Sequence, residues 1–218
     1  MKIDFVSDVV CPWCAIGLAG LRIALDNLGP DVPVTLHVQP FELNPQMPRE
    51  GEPIDEHLHR KYGLTPEQGA ANREAIRARA ATVGVDFGMG ARTRIYNTFD
   101  AHRLLHWAGT LGDEAQLALK QALLEAYFGA GQDPSDPQVL RAAAARAALP
   151  ADEAAAVIDD PQRFAADVRQ AEAYYQSRGI QAVPSVIIDD QHLIQGGQPP
   201  EAYERILRQL AGAASAGG

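Results

Sequence analysis

Alternating and helical spacings of apolar residues over the first 44 positions predict a strand, a helix and a second strand. Residues 2–6 (KIDFV) alternate between apolar and polar side chains, the pattern of a half-buried strand. Apolar residues recur at roughly helical spacing over residues 12–28, and Gly29 follows as a stop signal. Residues 32–43 alternate again and end at the strand-breaking sequence NPQMP. A helix that joins two strands in this way predicts a parallel, right-handed β-α-β unit.

The pattern changes at residue 45, where a block rich in Ala, Glu, Arg and Gln begins. No segment in residues 45–161 alternates convincingly, so we expect an all-helical insertion. Thr65 to Gln68 form a capping box with Pro66 at the first helical position, which marks the start of one helix. The predicted helices cover residues 66–84, 97–112, 113–131, 135–149 and 150–158.

Strand signals return after a helical pattern that ends at Gly179. Residues 184–197 contain two β-rich runs separated by Asp189-Asp190, which predicts a hairpin with a two-residue turn. An amphipathic helix follows, and the small residues after it predict a flexible tail. The whole order predicts an α/β fold divided into residues 1–44, 45–161, 162–211 and 212–218. The first and third of these ranges form one domain, which the helical block interrupts.

Composition limits the function classes without identifying one. Of the 218 residues, 46% are hydrophobic and 22% are charged, which is typical of a folded globular protein. The net charge is -9 and no run of Lys or Arg occurs, so nucleic acid and membrane surfaces are not expected as partners. Asp4 and Asp8 interrupt the N-terminal apolar run, so no signal peptide is predicted and we expect a cytoplasmic location. No apolar segment approaches the length of a membrane span.

The chain contains two cysteines, Cys11 and Cys14, which Pro12 and Trp13 separate at the junction of the first strand and helix. With Cys11 as the helix N-cap and Pro12 as the first helical residue, Cys14 lies one turn further on, within reach of a disulfide. Unpaired N–H groups and the helix dipole at this end favour the thiolate form of Cys11. We therefore expect Cys11 to be the nucleophile and Cys14 to resolve the mixed disulfide that it forms.

Three other interpretations of the cysteine pair stay open. A structural zinc site requires four ligands, whereas the chain offers a single CxxC pair, and no metal site is expected. A purely structural disulfide across four residues would restrain little of the chain. Two inert buried thiols are the third alternative. Redox chemistry agrees best with a cysteine at the start of a helix.

Several motifs together resemble one family. The strand followed by CPWC and a helix, the helical insertion and the later GIQAVPSVII are similar to the DsbA-like branch of the thioredoxin superfamily. SDVVCPWC, FELNP, NTFDAHRL and GGQPPEAY resemble its FrnE-like subgroup of cytosolic disulfide oxidoreductases, and the similarity covers nearly the whole chain. The resemblance implies a thioredoxin-like fold with a large all-helical insertion and an enzyme that acts on disulfide-containing proteins or small thiols. It implies no metal or organic cofactor, while glutathione fits as a substrate or reductant.

The same resemblance implies roles for residues outside the CPWC motif. Val183 and Pro184 would form a cis-proline loop facing the cysteines, where the backbone of Val183 would receive an extended substrate. Asp4 lies where thioredoxin-like folds often place a buried acid that helps the second cysteine lose its proton; the alternative is a side chain that faces water. Asn97 and His102, in NTFDAHRL, are candidates for a substrate groove, and the alternatives are a helix N-cap and a buried interdomain histidine.

Two features distinguish the chain from proteins that it resembles. Some FrnE-like proteins carry a second cysteine pair near the C-terminus, whereas no cysteine follows Cys14 here. The related 2-hydroxychromene-2-carboxylate isomerases and kappa-class glutathione transferases typically have Ser where Cys11 stands. Cys11 therefore favours disulfide exchange, and a glutathione-dependent isomerase or transferase is the alternative function.

Overall fold

A computed structural model describes residues 1–30, 32–88 and 92–216, and its first part is the predicted β-α-β unit. Strand β1 (Lys2–Ser7) leads to helix α1 (Pro12–Leu28) and strand β2 (Thr35–Pro40). The two strands are parallel neighbours over their full lengths. β2 is shorter than the predicted range 32–43, because the proline at its end has no N–H with which to continue the ladder.

The insertion is mainly helical but also contains two short strands that the sequence pattern does not predict. β3 (Glu52–Pro53) pairs with β4 (Arg94–Ile95) in antiparallel orientation. Strands of two residues are too short to produce an alternating pattern, which explains the omission. The helices are α2 (Ile54–Tyr62), α3 (Pro66–Ala81), α4 (Phe99–Thr110), α5 (Asp113–Leu124), α6 (Pro137–Arg146) and α7 (Ala151–Asp159), and a π-helix (Glu125–Gly129) continues α5.

The predicted capping box at the start of α3 is confirmed. The Gln68 N–H donates to Oγ1 of Thr65 over 3.3 Å, and the Thr65 N–H donates to Oε1 of Gln68 over 2.9 Å. These reciprocal bonds satisfy two backbone donors that the helix itself leaves unpaired.

The C-terminal part returns to the sheet. Its elements are α8 (Ala165–Ser177), β5 (Ser185–Ile188), β6 (His192–Gln195) and α9 (Pro200–Ala216). β5 is antiparallel to both β1 and β6, which gives the strand order β2-β1-β5-β6. The predicted hairpin is confirmed, and Asp189 and Asp190 have φ values of 49° and 57°, as in turns that match the strand twist. Its connection contains three residues rather than two, because Ile188 pairs with His192.

The last helix is longer than predicted. The sequence predicts a flexible tail from residue 212, whereas α9 continues through Ala216. Alanine has the highest helix propensity and dominates this stretch, so the helix has no local reason to end at residue 211. Residues 217 and 218, the remainder of the predicted tail, lie outside the described residues.

The sheet and the inserted helices share one hydrophobic core. Ile3 and Phe5 of β1 and Leu21 of α1 belong to the same buried cluster as Leu104 of α4 and Leu119 of α5. The insertion is therefore packed against the sheet rather than attached only through its connecting segments. The α/β architecture with a helical insertion is confirmed.

Hydrogen bonds also attach the insertion to the outer edge of β2. The side-chain amide of Gln116, on α5, accepts the N–H of Val38 over 2.8 Å and donates to its carbonyl oxygen over 3.0 Å. The side chain thus makes the two bonds that a neighbouring strand would make, and it occupies an edge that could otherwise pair with another chain.

Candidate active site

The two cysteines occupy the first turn of α1, where the sequence places them. Cys11 is the N-cap, with φ −88° and ψ 116°, and Pro12 is the first helical residue. The Cys11 carbonyl oxygen accepts the N–H groups of Cys14 over 3.1 Å and Ala15 over 3.3 Å. Both cysteines are free thiols. Cys11 is 4% exposed and Cys14 is fully buried, so Cys11 is the more accessible sulfur.

The surroundings of the two thiols separate their pKa values. The neighbouring Cys14 thiol lowers the pKa of Cys11, and the N–H groups of Cys14 and Trp13 act in the same direction, although burial opposes the shift. Burial raises the pKa of Cys14 well above its usual value, and the neighbouring Cys11 sulfur adds to the shift. Cys11 therefore ionises first and is the nucleophile, whereas Cys14 must lose a proton before it can react.

The loop before β5 lies against Cys11. The Cys11 sulfur is 3.7 Å from the carbonyl oxygen of Val183, and the Val183–Pro184 peptide bond is cis. The N–H of Gly196, directly after β6, donates to the Pro184 carbonyl oxygen over 2.8 Å and holds the loop in place. Trp13 is 39% exposed and adds an apolar surface to the first turn of α1. The structure thus brings the predicted loop residues to the cysteines.

The segment after β6 packs closely on α1 because both contribute glycine. A Cβ atom at Gly197 would lie 2.9 Å from the carbonyl oxygen of Trp13, and one at Gly17 would lie 3.1 Å from Cγ of Pro184. Real Cβ atoms rarely approach other atoms so closely, so larger residues here would push the elements apart. The two glycines therefore help to set the distance between the Pro184 loop and the cysteines.

The carboxylate of Asp8 is buried next to the cysteines. It accepts the N–H groups of Val9 and Leu43, each over 2.7 Å, and Nε2 of His102 lies 3.3 Å from Oδ1. Burial acts to raise the pKa of Asp8, but His102 and the Leu43 N–H outweigh it, and the pKa lies below its ordinary value. The backbone of Asp8 acts to lower the pKa of Cys14, against the larger effect of burial. Asp8 is therefore an ionised, well-bonded group beside the second cysteine.

Lys120, on α5, contributes a buried amine to the same region. Its side chain is fully buried, and Nζ has no hydrogen-bond partner among the residues that the structure describes. Burial lowers the pKa of Lys120, while the negative charges of Cys14, Asp8 and Cys11 act in the opposite direction. Lys120 is absent from the residues predicted above, although a charge within the apolar stripe of a helix was a signal that could have identified it.

Asp4 does not lie with the cysteines, contrary to the role predicted for it. Alternation along β1 directs Ile3 and Phe5 into the core cluster that includes α1, so Asp4 is on the opposite face of the sheet. There its Oδ1 accepts Nε2 of Gln39 over 2.8 Å, and its Oδ2 lies 2.9 Å from Nζ of Lys2. The side chain is 1% exposed, so the alternative of a water-facing residue is also wrong. Asp4 is a paired structural carboxylate.

The structure places Asn97 and His102, the two candidates for a substrate groove, at the start of α4 and within its first turn. Oδ1 of Asn97 accepts the N–H of Phe99 over 2.9 Å at the start of α4, and its Nδ2 donates to the Met47 carbonyl oxygen over 3.2 Å. His102 is 1% exposed and faces the carboxylate of Asp8. A buried histidine, the alternative to substrate contact for His102, is confirmed, whereas the N-cap of α4 is Thr98 and Asn97 directly precedes it.

A cavity of about 580 Å³ lies along α1 beyond the active-site turn. Ala15 and Leu18 of α1 line it together with Phe87 and Phe128 from the insertion. Neither cysteine contributes to its walls, so the cavity is separate from the reactive sulfur.

Neither a cluster of metal ligands nor a membrane-spanning helix occurs in the described ranges 1–30, 32–88 and 92–216. There, no three His, Cys, Asp or Glu side chains are grouped so that they could hold a metal ion. None of the helices in these ranges has both the length and the apolar character needed to cross a membrane.

Comparison with known proteins identifies a family and a related structure. The sequence model of the DSBA-like thioredoxin domain matches residues 2–208. The crystal structure of a probable DsbA oxidoreductase from Streptomyces coelicolor is 32% identical and has a TM-score of 0.88, covering 97% of this chain and 90% of that chain. No curated protein matches. The thioredoxin-like fold with a large helical insertion, which the motifs implied, is confirmed.

Two more distant structures share this fold. The cytosolic disulfide reductase DsbM from Pseudomonas aeruginosa, solved with GSH, is 15% identical with a TM-score of 0.68, covering 97% of this chain and 99% of that chain. A 2-hydroxychromene-2-carboxylate isomerase is 13% identical with a TM-score of 0.69, covering 100% of both chains. At these identities the likeness concerns the fold alone.

Proposed function

Because the chain belongs to the DSBA-like thioredoxin domains, a family of disulfide oxidoreductases, we propose that Cys11 and Cys14 are its redox pair and that it belongs to the FrnE-like subgroup. The observation that carries the proposal is the environment of the Cys11 sulfur. It lies at the N-terminus of α1, where the Cys14 thiol and the N–H groups of Trp13 and Cys14 lower the pKa of Cys11 and so stabilise a thiolate. An inert thiol would not need this arrangement.

In the reducing direction, the reaction begins with attack of the Cys11 thiolate on one sulfur of a substrate disulfide. The other substrate sulfur leaves as a thiolate, and a mixed disulfide remains on Cys11. Cys14, once deprotonated, attacks the Cys11 sulfur, so the Cys11–Cys14 bond forms and the second substrate sulfur leaves. Two electrons pass from the enzyme dithiol to the substrate, and a reduced thiol partner returns them.

The Val183 loop supplies the place for the substrate. Its carbonyl oxygen is 3.7 Å from the Cys11 sulfur and can accept a hydrogen bond from the backbone of an extended substrate. Such backbone contacts tolerate many sequences, which suits disulfide-containing proteins as well as small thiols. Glutathione fits the site as a substrate or as the reductant. Sulfur holds the electrons throughout, so the proposed reaction uses no metal or organic cofactor.

We place this activity in the cytoplasm, and the fold shared with DsbM, which is described as cytosolic, supports that location. The glutathione pool of the cytosol is reducing, and a stabilised Cys11 thiolate favours the dithiol over the disulfide. We therefore expect the resting enzyme to be reduced and to act as a reductase or isomerase of disulfides. Mass spectrometry of rapidly alkylated cells tests this state, and a mostly oxidised pair would contradict it.

Matched serine variants test the proposed function. With glutathione disulfide as substrate and a thiol reductant present, Cys11→Ser is expected to abolish turnover. Cys14→Ser is expected to accumulate a mixed disulfide at Cys11 that intact-mass measurement detects. Turnover that survives in Cys11→Ser would contradict the proposal, and a glutathione-dependent isomerase activity in that variant would favour the alternative function. Two variants that both behave as the wild type would indicate a redox-inert binding module.

A further inference from the structure

The sequence GGQPPEAY, at residues 196–203, is closed by one buried hydroxyl group. The side chain of Tyr203, in the first turn of α9, is fully buried, and its hydroxyl donates to the carbonyl oxygen of Gly196 over 3.2 Å. The same hydroxyl accepts the N–H of Gln198 over 3.4 Å. A single side chain therefore joins the end of this segment to its beginning.

This closed segment lies on the helix that carries the cysteines, because α9 packs along α1. A Cβ atom at Gly17 would lie 3.2 Å from Cα of Gly197 and 3.4 Å from the hydroxyl oxygen of Tyr203. Gly17 follows Cys14 by three residues, so the two share one face of α1. The Tyr203 hydroxyl therefore lies against α1 one turn beyond the second cysteine.

Gly196 connects the hydroxyl to the loop that faces Cys11. Its carbonyl oxygen accepts the Tyr203 hydroxyl, and its N–H donates to the Pro184 carbonyl oxygen over 2.8 Å. The carbonyl oxygen of the preceding Val183 is 3.7 Å from the Cys11 sulfur. Gly196 has a φ of 80°, and a glycine backbone adopts many conformations, so its contacts rather than its own stiffness determine its direction. The position of the Val183 backbone therefore depends on how firmly Gly196 is held.

Other groups are less suited to holding Gly196. The side chain of Gln198 donates to the Gln195 carbonyl oxygen over 2.8 Å, but this bond is exposed to solvent and lies within the same turn, so it does not attach the turn to α9. Burial raises the pKa of Tyr203 to about 12. Its hydroxyl therefore keeps its proton at neutral pH, where it can donate a hydrogen bond but does not exchange protons with the cysteines.

We propose that Tyr203 is a positioning residue for disulfide exchange, an inference that rests on the proposed function. Its hydroxyl holds Gly196, and Gly196 holds the Val183–Pro184 loop where the loop backbone can receive an extended substrate beside Cys11. A peptide disulfide uses this backbone, whereas a small aromatic disulfide has no peptide groups with which to bind it. The hydroxyl therefore favours peptide disulfides as the substrate class, and no proton or electron passes through it.

Tyr203→Phe removes the hydroxyl and keeps the ring, and Tyr127→Phe is the matched control. Tyr127 is also fully buried, and its hydroxyl donates to the Arg94 carbonyl oxygen over 2.9 Å, within the insertion. Each variant therefore loses a buried hydroxyl that is bonded to a backbone carbonyl, but Tyr203 alone is bonded to the segment that holds the Val183–Pro184 loop.

Reduced protein is mixed with one of two disulfides, and its oxidation is followed by intact mass after acid quenching. The first is a peptide disulfide made of two capped Ala-Cys-Ala peptides, and the second is dithiodipyridine, which has no peptide backbone. For Tyr203→Phe we expect the half-saturating concentration of the peptide disulfide to rise about tenfold, the size of one lost hydrogen bond. The limiting rate and the rate with dithiodipyridine should stay within about twofold of the wild type, because the Cys11 thiolate is stabilised by α1 and Cys14. Tyr127→Phe should change none of these quantities.

Hydrogen exchange at the Gly196 amide tests the link from the hydroxyl to the loop without any substrate. This N–H is bonded to the Pro184 carbonyl oxygen, so its exchange rate reports how often the two separate. In Tyr203→Phe the amide should exchange about tenfold faster, as one lost hydrogen bond allows, and in Tyr127→Phe it should exchange as in the wild type. A wild-type exchange rate in Tyr203→Phe would overturn the inference.

The two disulfides also distinguish failure of this inference from failure of the proposed function. If Tyr203→Phe slows the reactions with both disulfides by the same factor, or binds the peptide disulfide as the wild type does, the role of Tyr203 alone is overturned. If Cys11→Ser reacts with both disulfides as fast as the wild type, the proposed function fails and the role of Tyr203 fails with it.

Discussion

Replacing Arg103 by methionine removes the guanidinium group that joins α4 to the end of α7 and to the segment that leads into α8. Arg103, on α4, is 1% exposed, and its Nη1 donates to the carbonyl oxygens of Val157 over 2.8 Å and of Asp160 and Arg163 over 2.9 Å each. Its Nε and Nη2 donate to Oδ1 of Asp100 over 3.0 Å and 2.9 Å. Methionine keeps a flexible apolar chain and a high helix propensity, so the change removes mainly the donors.

The expected loss follows from the carbonyl groups left behind. The Val157 carbonyl is buried, and leaving it unpaired costs about 1–3 kcal/mol. Asp160 and Arg163 are exposed residues whose carbonyls water can partly satisfy, so each costs about 1 kcal/mol. Asp100 is 44% exposed and regains water. We expect the free energy of unfolding to fall by about 3–5 kcal/mol, which lowers the melting temperature by roughly 10 °C for a chain of this length.

Urea unfolding followed by circular dichroism measures this loss, with Arg141→Met as the control. Arg141 is 40% exposed and makes an ion pair with Asp159 over 2.5 Å, a contact worth about 0–1 kcal/mol. The midpoint for Arg103→Met should fall clearly below that of Arg141→Met at an unchanged denaturant slope. Equal midpoints for the two variants would refute the assignment of Arg103 as a major link between α4 and the segment that joins α7 to α8.

Three further substitutions give results that the structure specifies. Gly197→Ala places a Cβ 2.9 Å from a carbonyl oxygen of α1, so urea unfolding should show that the free energy of unfolding falls by about 1–3 kcal/mol. Gly212→Ala is the control: no described atom lies within 4 Å of its Cβ, so this change should cost no stability. Equal effects of the two changes would contradict the close packing at Gly197. Gln116→Leu leaves both backbone groups of Val38 unpaired and should cost about 2–4 kcal/mol, and a negligible loss would mean that water replaces the amide. Because burial lowers the pKa of Lys120, the unfolded chain binds more protons between the folded value and 10.5, and wild-type stability should rise with pH across this window. Lys120→Met should lose that rise and gain about 1–3 kcal/mol at neutral pH, and an unchanged pH profile of unfolding would count against it.

Long periodic elements and local capping signals could be predicted from the sequence. The apolar spacing of α1, the glycine after it and the capping box at Thr65 act within a few residues of one another, so local physics determines them. β3 and β4 could not be predicted, because two residues of strand have no period and form only when distant segments meet. The extension of α9 was not predicted because glycine and serine, which are common in loops, lie among the alanines of this stretch.

The site shows the same division between local and distant causes. The position of Cys11 as N-cap depends on Pro12 and the following turn, and both are adjacent in sequence. The pattern of β1 shows that Asp4 alternates with Ile3, but it does not reveal which face of the sheet meets α1. Lys120 lies on α5, more than a hundred residues after the cysteines, so no local pattern could reveal that its charge acts on the pKa of Cys14.

The most direct test of the central claim is a redox titration of the Cys11–Cys14 couple. The protein is equilibrated in glutathione buffers of graded potential, and the reduced fraction is read from intact mass after acid quenching and alkylation. The account predicts a reversible two-electron transition in the wild type that disappears in Cys11→Ser and in Cys14→Ser. A protein that remains dithiol across the whole range, or that exchanges equally well without Cys11, would contradict it.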